Sequence, residues 1–177
     1  MAISAFVVKV PAAEPLAEDL RRRYDATVAL GVPAHITVLF PFMPPELIDT
    51  SALERIRRVV SSAQSFEFSL SAVGRFPATA YLAPEPPAPF VALTEALVAA
   101  FPQFPPFGGE FVTIIPHLTV AHGNSEEARS VEAQLVAKLA EHGPIRSTCR
   151  SLELLENSSG HWRQLHVFHL ATARPAG

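Results

Sequence analysis

The sequence contains very little cysteine. Cys149 is the one cysteine among 177 residues, so no disulfide can form within the chain. The sequence also lacks an apolar run of the roughly 18 residues that a membrane-spanning helix needs. The apolar segment near the amino end, Ala2 to Val10, is short, contains Lys9 and lacks the basic leader of a signal peptide. From these absences we expect a cytoplasmic protein with no membrane partner.

An excess of positive charge is missing as well. The chain has 14 basic and 17 acidic residues, and its formal net charge is −3. A protein that binds long duplex DNA neutralises many phosphates with basic residues. We therefore expect no DNA duplex as a partner, while a small nucleotide or the end of an RNA is not excluded.

The common metal-binding and phosphate-binding motifs are absent from the sequence. There is neither a His-Glu-x-x-His motif nor a pair of cysteines. His117 and His122 lie close together, but no carboxylate has a spacing that would complete a metal site. Gly108 and Gly109 alone are a weak sign of a glycine-rich phosphate loop. We predict no metal and no cofactor.

Two similar stretches stand out in what is present. The first extends from Pro33 to Phe40 and contains His35-Ile36-Thr37-Val38, and the second extends from Pro116 to His122 and contains His117-Leu118-Thr119-Val120. Both are rich in β-branched and apolar residues and bounded by Pro or Gly, which is typical of strands. Because side chains alternate along a strand, the His and Thr of each motif share one face, and the apolar residues share the other.

The rest of the pattern predicts a duplicated α+β domain. Predicted helices cover residues 14–30, 51–64, 90–101 and 126–142, and further strands cover 2–10, 66–74, 79–82, 148–155 and 162–171, followed by a tail from Ala173 to Gly177. Ser51 with Glu54 fits a capping box, and Ser125 is the expected cap of the fourth helix. The order strand, helix, His-x-Thr strand, helix, strand occurs twice. We predict one domain over residues 1–177, with pseudo-symmetric lobes of about 1–75 and 76–172 that can exchange strands.

Two imidazoles facing one groove can perform acid–base chemistry. Imidazole titrates near neutral pH, so one copy can act as the base while the other acts as the acid. Phosphoryl transfer at a nucleotide hydroxyl uses such a pair on opposite sides of the phosphorus. A Thr hydroxyl two residues away can donate a hydrogen bond to a phosphate oxygen. We predict His35 and His117 as catalytic residues, and Thr37 and Thr119 as phosphate-binding residues.

With these paired motifs the chain resembles the two-histidine (2H) phosphoesterase superfamily, and within it the group of 2'-5' RNA ligases and RNA 2',3'-cyclic phosphodiesterases. The resemblance extends over Ala2 to Leu170 and includes the predicted hairpin at Gly74-Arg75-Phe76-Pro77. It implies a bilobal α+β fold in which two antiparallel-rich sheets line a central groove with the helices outside. It also implies metal-independent opening of a cyclic phosphate, or breakage and formation of a 2'-5' linkage. The expected partner is then a nucleotide or an RNA 3'-end with a cyclic phosphate, and we expect a monomer.

Two alternatives stay open at this point. The same groove could bind a nucleotide or an RNA end without turnover, because identical groove chemistry serves both functions. The chain could also be an interaction protein whose histidines are structural. The two histidines cannot be assigned as base and acid from the sequence, since the motifs are equivalent.

Several other residues are expected near the groove, where they can contact a substrate. Aromatic side chains next to a phosphate can stack a nucleobase, and a positive charge can bind phosphate. On this basis Phe42, Arg75 and Tyr81 are candidate substrate contacts. The run from Arg21 to Arg23 is expected to form a solvated helix face, and His122 is expected in the core or a loop.

Overall fold

The computed structural model describes residues 1–111 and 113–172 of the chain. In this part it contains four α-helices and eight β-strands. The helices are α1 (Glu14–Tyr24), α2 (Thr50–Ser62), α3 (Ala88–Ala100) and α4 (Ser125–His142). The strands are β1 (Ser4–Lys9), β2 (His35–Leu39), β3 (Phe66–Phe76), β4 (Thr79–Glu85), β5 (Leu118–His122), β6 (Ile145–Cys149), β7 (Ser151–Glu156) and β8 (Arg163–His169). The predicted tail from Ala173 to Gly177 lies outside the described residues.

All eight strands belong to one antiparallel sheet, in the order β6-β3-β4-β5-β2-β1-β7-β8. The α+β class with antiparallel pairing is therefore confirmed. The two expected sheets are joined into this single sheet through the pairing of β2 with β5. β3 comes from the first half of the chain but lies between β4 and β6, and β7 comes from the second half but pairs with β1. The division into two pseudo-symmetric lobes stays a prediction.

One face of the sheet packs against the helices and forms the main core. Ile36, Val38, Leu118 and Val120 point into it, each at most 3% exposed. The helices contribute their apolar stripes, which are Leu16, Ala17 and Leu20 of α1, Ala52, Ile56 and Val60 of α2, Phe90, Leu93 and Leu97 of α3, and Val131 and Leu135 of α4. Because the buried stripes of α1 to α4 all belong to this one core, none of these four helices packs on the opposite face of the sheet. We call this opposite face the open face.

The predicted helices are present, but their ends differ. α1 ends at Tyr24 and not at residue 30, because Asp25 is extended and its carboxylate accepts from Thr27 N, starting a short 3-10 helix at Ala26–Leu30. The N-cap of α2 is Asp49, whose Oδ1 accepts from Ala52 N at 2.8 Å, so the predicted capping box with Ser51 and Glu54 is wrong. Asn124, and not Ser125, caps α4.

The strand predictions also need two corrections. The predicted strand at 148–155 is two strands, β6 and β7, which pair with different parts of the sheet, β3 and β1. The first strand of the hairpin extends two residues beyond the predicted end, to Phe76, and its partner extends to Glu85. None of the helices in the described part of the chain is both long and apolar enough to cross a membrane.

Candidate active site

The two His-x-Thr motifs lie side by side at the centre of the sheet. β2 and β5 are antiparallel neighbours with Ile36 opposite Leu118. In an antiparallel ladder the residues that flank such a pair also face each other. Thr37 therefore lies across from His117, and His35 across from Thr119, on the open face.

The burial pattern agrees with this placement. His35 and Thr37 are half-buried while Ile36 and Val38 are buried, as the alternation predicted. The second motif repeats the pattern, although His117 immediately precedes β5 and is not part of it. Thr37 and His117 also line one small cavity of about 30 Å³. The cavity is large enough for about one water molecule.

Both imidazoles make the same local hydrogen bond. His35 Nδ1 lies 2.8 Å from the carbonyl oxygen of Pro33, and His117 Nδ1 lies 2.6 Å from that of Ile115. A carbonyl oxygen can only accept, so Nδ1 carries the proton in each neutral ring. The unprotonated Nε2 of each ring is then the atom that can accept a proton from a reactant. Each motif fixes its tautomer with the residue two positions earlier in the chain.

Burial lowers the pKa of both histidines. Desolvation is the main cause at each, and the hydrogen bond to the backbone carbonyl opposes it. For His35 the positive charges of Arg21 and His117 lower the pKa further, while the Asp25 carboxylate raises it. Both rings are therefore biased towards the neutral form, and a positive charge on His117 further disfavours protonation of His35.

Aromatic rings surround His117 on one side. The His117 ring lies 5.1 Å from the ring of Phe76 and 5.2 Å from the ring of Tyr81, and these two rings lie 4.6 Å apart. Tyr81 can lie flat against the sheet because its cross-strand partner is Gly74. A Cβ on Gly74 would stand 2.4 Å from the Tyr81 ring. Gly74 is thus required for the position of Tyr81 beside His117.

A second aromatic group lies on the other half of the open face. Phe40 and Trp162 pack on a small apolar cluster that is separate from the main core and contains Ala5, Val7 and Leu155. The ring of Phe40 lies 6.2 Å from that of Trp162 and 6.3 Å from that of Phe107. Phe107 has a positive φ of 51° and donates its backbone N–H to the carbonyl of Phe40 at 2.6 Å. Such a backbone conformation is costly for a residue other than glycine.

A polar group borders this apolar cluster. Lys9, the cross-strand partner of His35, forms an ion pair with Glu153 and donates a hydrogen bond to Gln164 at 2.9 Å. The open face is therefore asymmetric. His117 has aromatic neighbours, whereas the strand beside His35 carries an ammonium group.

The three candidate substrate contacts have different surroundings. Tyr81 lies against His117, as described. Phe42 is 2% exposed and packs in the main core, 4.8 Å from the ring of Phe6 and 5.2 Å from that of Phe101. Phe42 has almost no surface open to a ligand in this structure, and its contact with substrate stays a prediction. Arg75 is exposed, and its guanidinium forms an ion pair with Glu132 on α4 at 2.9 Å, so part of its charge is already compensated.

Two further expectations are tested by burial. Arg21 is 2% exposed, so the prediction of a solvated face is wrong for this residue, whereas Arg22 and Arg23 are exposed. His122 is exposed and its Nδ1 lies 2.8 Å from Thr79 Oγ1, which places it at the end of β5 and outside the His-x-Thr pair. In the described residues no group of three or more His, Cys, Asp or Glu side chains is arranged to hold a metal ion.

Comparison with known proteins identifies the family of this chain. The model of the 2'-5' RNA ligase superfamily matches residues 8–161, and both His-x-Thr motifs lie within the match. The chain belongs to this superfamily, which supports a phosphoesterase-type function. Among curated proteins, none is similar enough in sequence to count as a match.

Solved structures share the fold at low sequence identity. The protein TT0787 of Thermus thermophilus has 17% identity and a TM-score of 0.63, and the alignment covers 97% of this chain and 100% of that one. Escherichia coli LigT in complex with 3'-AMP has 14% identity and a TM-score of 0.57, with coverage of 95% and 97%. LigT in complex with NADP+ has 15% identity and a TM-score of 0.58, with coverage of 96% and 97%.

Proposed function

We propose that the protein is a metal-independent phosphoesterase that acts on a 2',3'-cyclic phosphate or a 2'-5' phosphodiester of a nucleotide or RNA end. The matched geometry of His35 and His117 carries this proposal. Both rings hold their Nδ1 proton on a backbone carbonyl, so both leave Nε2 as the reactive atom. Two such nitrogens on one face supply a base and an acid from side chains alone.

The reaction needs two proton transfers. The Nε2 of one neutral imidazole removes a proton from water while the water oxygen forms a bond to phosphorus. The bond from phosphorus to a ribose oxygen breaks, and that oxygen receives a proton from Nε2–H of the second imidazole, which enters the step as imidazolium. The enzyme ends with the protons exchanged between its two rings, and a proton transfer through solvent restores the starting state. The reverse sequence would join two ends, by microscopic reversibility.

Thr37 and Thr119 are the proposed phosphate ligands. Each lies across the β2–β5 ladder from the histidine of the other motif, as deduced from the pairing of Ile36 with Leu118. A phosphate between the two rings would have one hydroxyl on each side. Each hydroxyl can donate to a non-bridging oxygen, which carries the charge that develops in the transition state.

The aromatic neighbours favour a nucleoside as the group attached to this phosphate. Phe76 and Tyr81 lie on the His117 side, and Phe40 and Trp162 lie on the other half of the open face. Stacking of a base on an aromatic ring contributes about 1–3 kcal/mol and tolerates any base. LigT, which has the same fold, has been crystallised with 3'-AMP and with NADP+, and a nucleotide ligand for this chain is consistent with that.

The test is an assay of the purified protein on a panel of 2',3'-cyclic mononucleotides and a 2'-5' linked dinucleotide, with the position of the product phosphate determined. We expect turnover that a chelator does not reduce and that His35→Ala or His117→Ala lowers by a factor of about 10²–10⁴. The matched control is His161→Ala, which changes an exposed histidine in the β7–β8 turn and should retain turnover. Full activity in either motif variant would contradict the proposal, as would loss of activity with the chelator. Nucleotide binding without product in the unmodified protein would favour a binding module.

A further inference from the structure

Three charged side chains of α1 and its cap point towards the segment that leads into His35. Glu14, Arg21 and Asp25 are separated by seven and four positions, so they lie on one side of the helix. Arg21 Nη2 lies 3.2 Å from Asp25 Oδ2, and Arg21 Nη1 lies 3.6 Å from Glu14 Oε1. The three groups are thus one connected set beside the segment that leads into β2.

This set holds the backbone on both sides of Pro33. Arg21 Nη2 donates to the carbonyl of Val32 at 3.0 Å, and the N–H of Ala34 donates to Glu14 Oε1 at 2.7 Å. Pro33 has no N–H, and its carbonyl accepts from His35 Nδ1 at 2.8 Å. The carbonyl that fixes the tautomer of His35 therefore lies between two backbone groups that side chains of α1 hold in place.

The burial of these charges makes a purely stabilising role a poor explanation. Arg21 is 2% exposed and Asp25 is 5% exposed. Burying an ion pair costs several kcal/mol per ion in desolvation, and apolar residues of similar volume often stabilise a protein at least as well. A buried charged set that is aimed at one backbone segment instead defines the position of that segment.

In the described residues, no charged side chain bonds to the backbone beside Pro116, the proline before His117, as Arg21 and Glu14 bond beside Pro33. α3 is the helix that precedes β5 in the chain, as α1 precedes β2. Glu95 is the one charged residue of α3. The side-chain hydrogen bond from α3 goes to the His35 strand and is neutral, with Thr94 Oγ1 donating to the carbonyl of Val38 at 2.7 Å. His117 instead packs on one side against the rings of Phe76 and Tyr81. Each histidine makes the same kind of hydrogen bond to a backbone carbonyl, but the side chains that support the two rings differ.

We propose that Glu14, Arg21 and Asp25 form a positioning network that holds the Pro33 carbonyl and thereby fixes the tautomer and orientation of His35. None of the three touches the reacting atoms in this account. The effect of the network on turnover rests on the proposed function, because a positioned Nε2 matters to catalysis only if His35 is the base or the acid. Its consequence for the ring of His35 does not depend on any activity.

Glu14 gives the cleanest test, since its side chain is 31% exposed and its substitution leaves the buried Arg21–Asp25 pair intact. Glu14→Ala removes the acceptor of Ala34 N, whereas Glu14→Gln keeps an oxygen there. The matched control is Glu18→Ala, which removes the exposed ion pair with Arg22 on the same helix. Thermal unfolding of each variant shows that the chain is folded.

The first readout is the ¹⁵N spectrum of the histidine rings. We expect Glu14→Ala to shift His35 from the Nδ1–H tautomer to a mixture while the His117 signals stay unchanged. Glu14→Gln restores most of the original spectrum, and Glu18→Ala does not alter it. An unchanged ¹⁵N spectrum of the His35 ring in the folded Glu14→Ala variant would contradict the proposed network. An equal change in the His117 signals would contradict it as well.

The second readout is the kinetics of cyclic-nucleotide turnover. We expect Glu14→Ala to lower kcat about tenfold with KM nearly unchanged, because small misplacement of a catalytic group costs rate more than binding. A protein that turns over no substrate on the panel would contradict the proposed function alone, since the ring spectra would still decide the network. A changed ¹⁵N spectrum of the His35 ring without any change in kcat would contradict the catalytic role of His35 and not the network.

Discussion

Ile36 and Leu118 are cross-strand partners in the ladder that joins β2 to β5, and this one pair sets the geometry of the proposed site. It makes His35 and His117 diagonal neighbours on the open face. Diagonal neighbours in an antiparallel pair are about 7–8 Å apart, which leaves room for a phosphate between two imidazoles. The apolar pair is fully buried, each residue being 0% exposed, so the separation of the two rings is fixed from the core side.

The lowered pKa values of His35 and His117 predict a loss of stability on mild acidification. A histidine whose pKa is lower in the folded state than its unfolded value of about 6.5 binds protons more readily when unfolded. The free energy of unfolding therefore falls as the pH drops below about 6.5, and the fall ends below the folded pKa. The slope is at most about 1.4 kcal/mol per pH unit for each proton.

Denaturant titrations between pH 7 and pH 5 measure this slope. We expect His35→Gln and His117→Gln to flatten it, while His161→Gln, at an exposed turn, leaves it unchanged. Glu156 also has a lowered pKa, because hydrogen bonds from Ser158 and Arg163 outweigh its desolvation. Its contribution is lost only below the usual carboxyl range, at more acid pH. A slope in His35→Gln that equals the original would contradict the account.

The contact between Gly74 and Tyr81 predicts that Gly74→Ala damages activity more than stability. The added methyl group would overlap the Tyr81 ring, which must then leave its place beside Phe76 and His117. We expect kcat/KM to fall about tenfold, because even a slight misplacement of a catalytic group costs rate, with a small change in Tm. Gly123→Ala is the matched control, because its Cβ would meet only the flexible end of Glu127 at 3.1 Å. Equal activity in both variants would contradict the role of Tyr81.

The position of Phe42 predicts the opposite balance. Phe42 packs against Phe6, Phe101 and Phe104 in the core, and replacing a buried Phe by Ala costs about 3–5 kcal/mol. We expect Phe42→Ala to lower the free energy of unfolding by that amount in urea titrations. The KM of the folded fraction should stay unchanged. A raised KM with unchanged stability would contradict this expectation and would identify Phe42 as a substrate contact.

The sequence predicts correctly those features of the fold that depend on the periodicity of apolar residues. Alternation along β2 and β5 predicts correctly which residues of each motif are buried, since the strands are half-buried and regular. The helices follow from apolar stripes for the same reason. The sites of phosphate binding and catalysis at these motifs stay predictions.

Features that depend on partners distant in the chain were not predictable in this way. Arg21 looks like its exposed neighbours in the sequence, and its hydrogen bond to the Val32 carbonyl, beyond the end of α1, could not be read from the helix pattern. Phe42 follows a motif strand closely, but the chain has turned into the core at that point. The break between β6 and β7 lies at Arg150, where no glycine or proline marks it, and it arises because the two strands pair with opposite halves of the sheet.

The central claim is that His35 and His117 act as one acid–base pair, and the kcat values of His35→Ala, His117→Ala and the double variant test it most directly. Acid or base catalysis contributes about 10²–10⁴ in rate, and residues that act as a unit show strongly non-additive losses. We predict that each single variant loses this factor on a 2',3'-cyclic nucleotide and that the double variant loses little more. A double loss equal to the product of the single losses, or full turnover in either single variant, would contradict the claim.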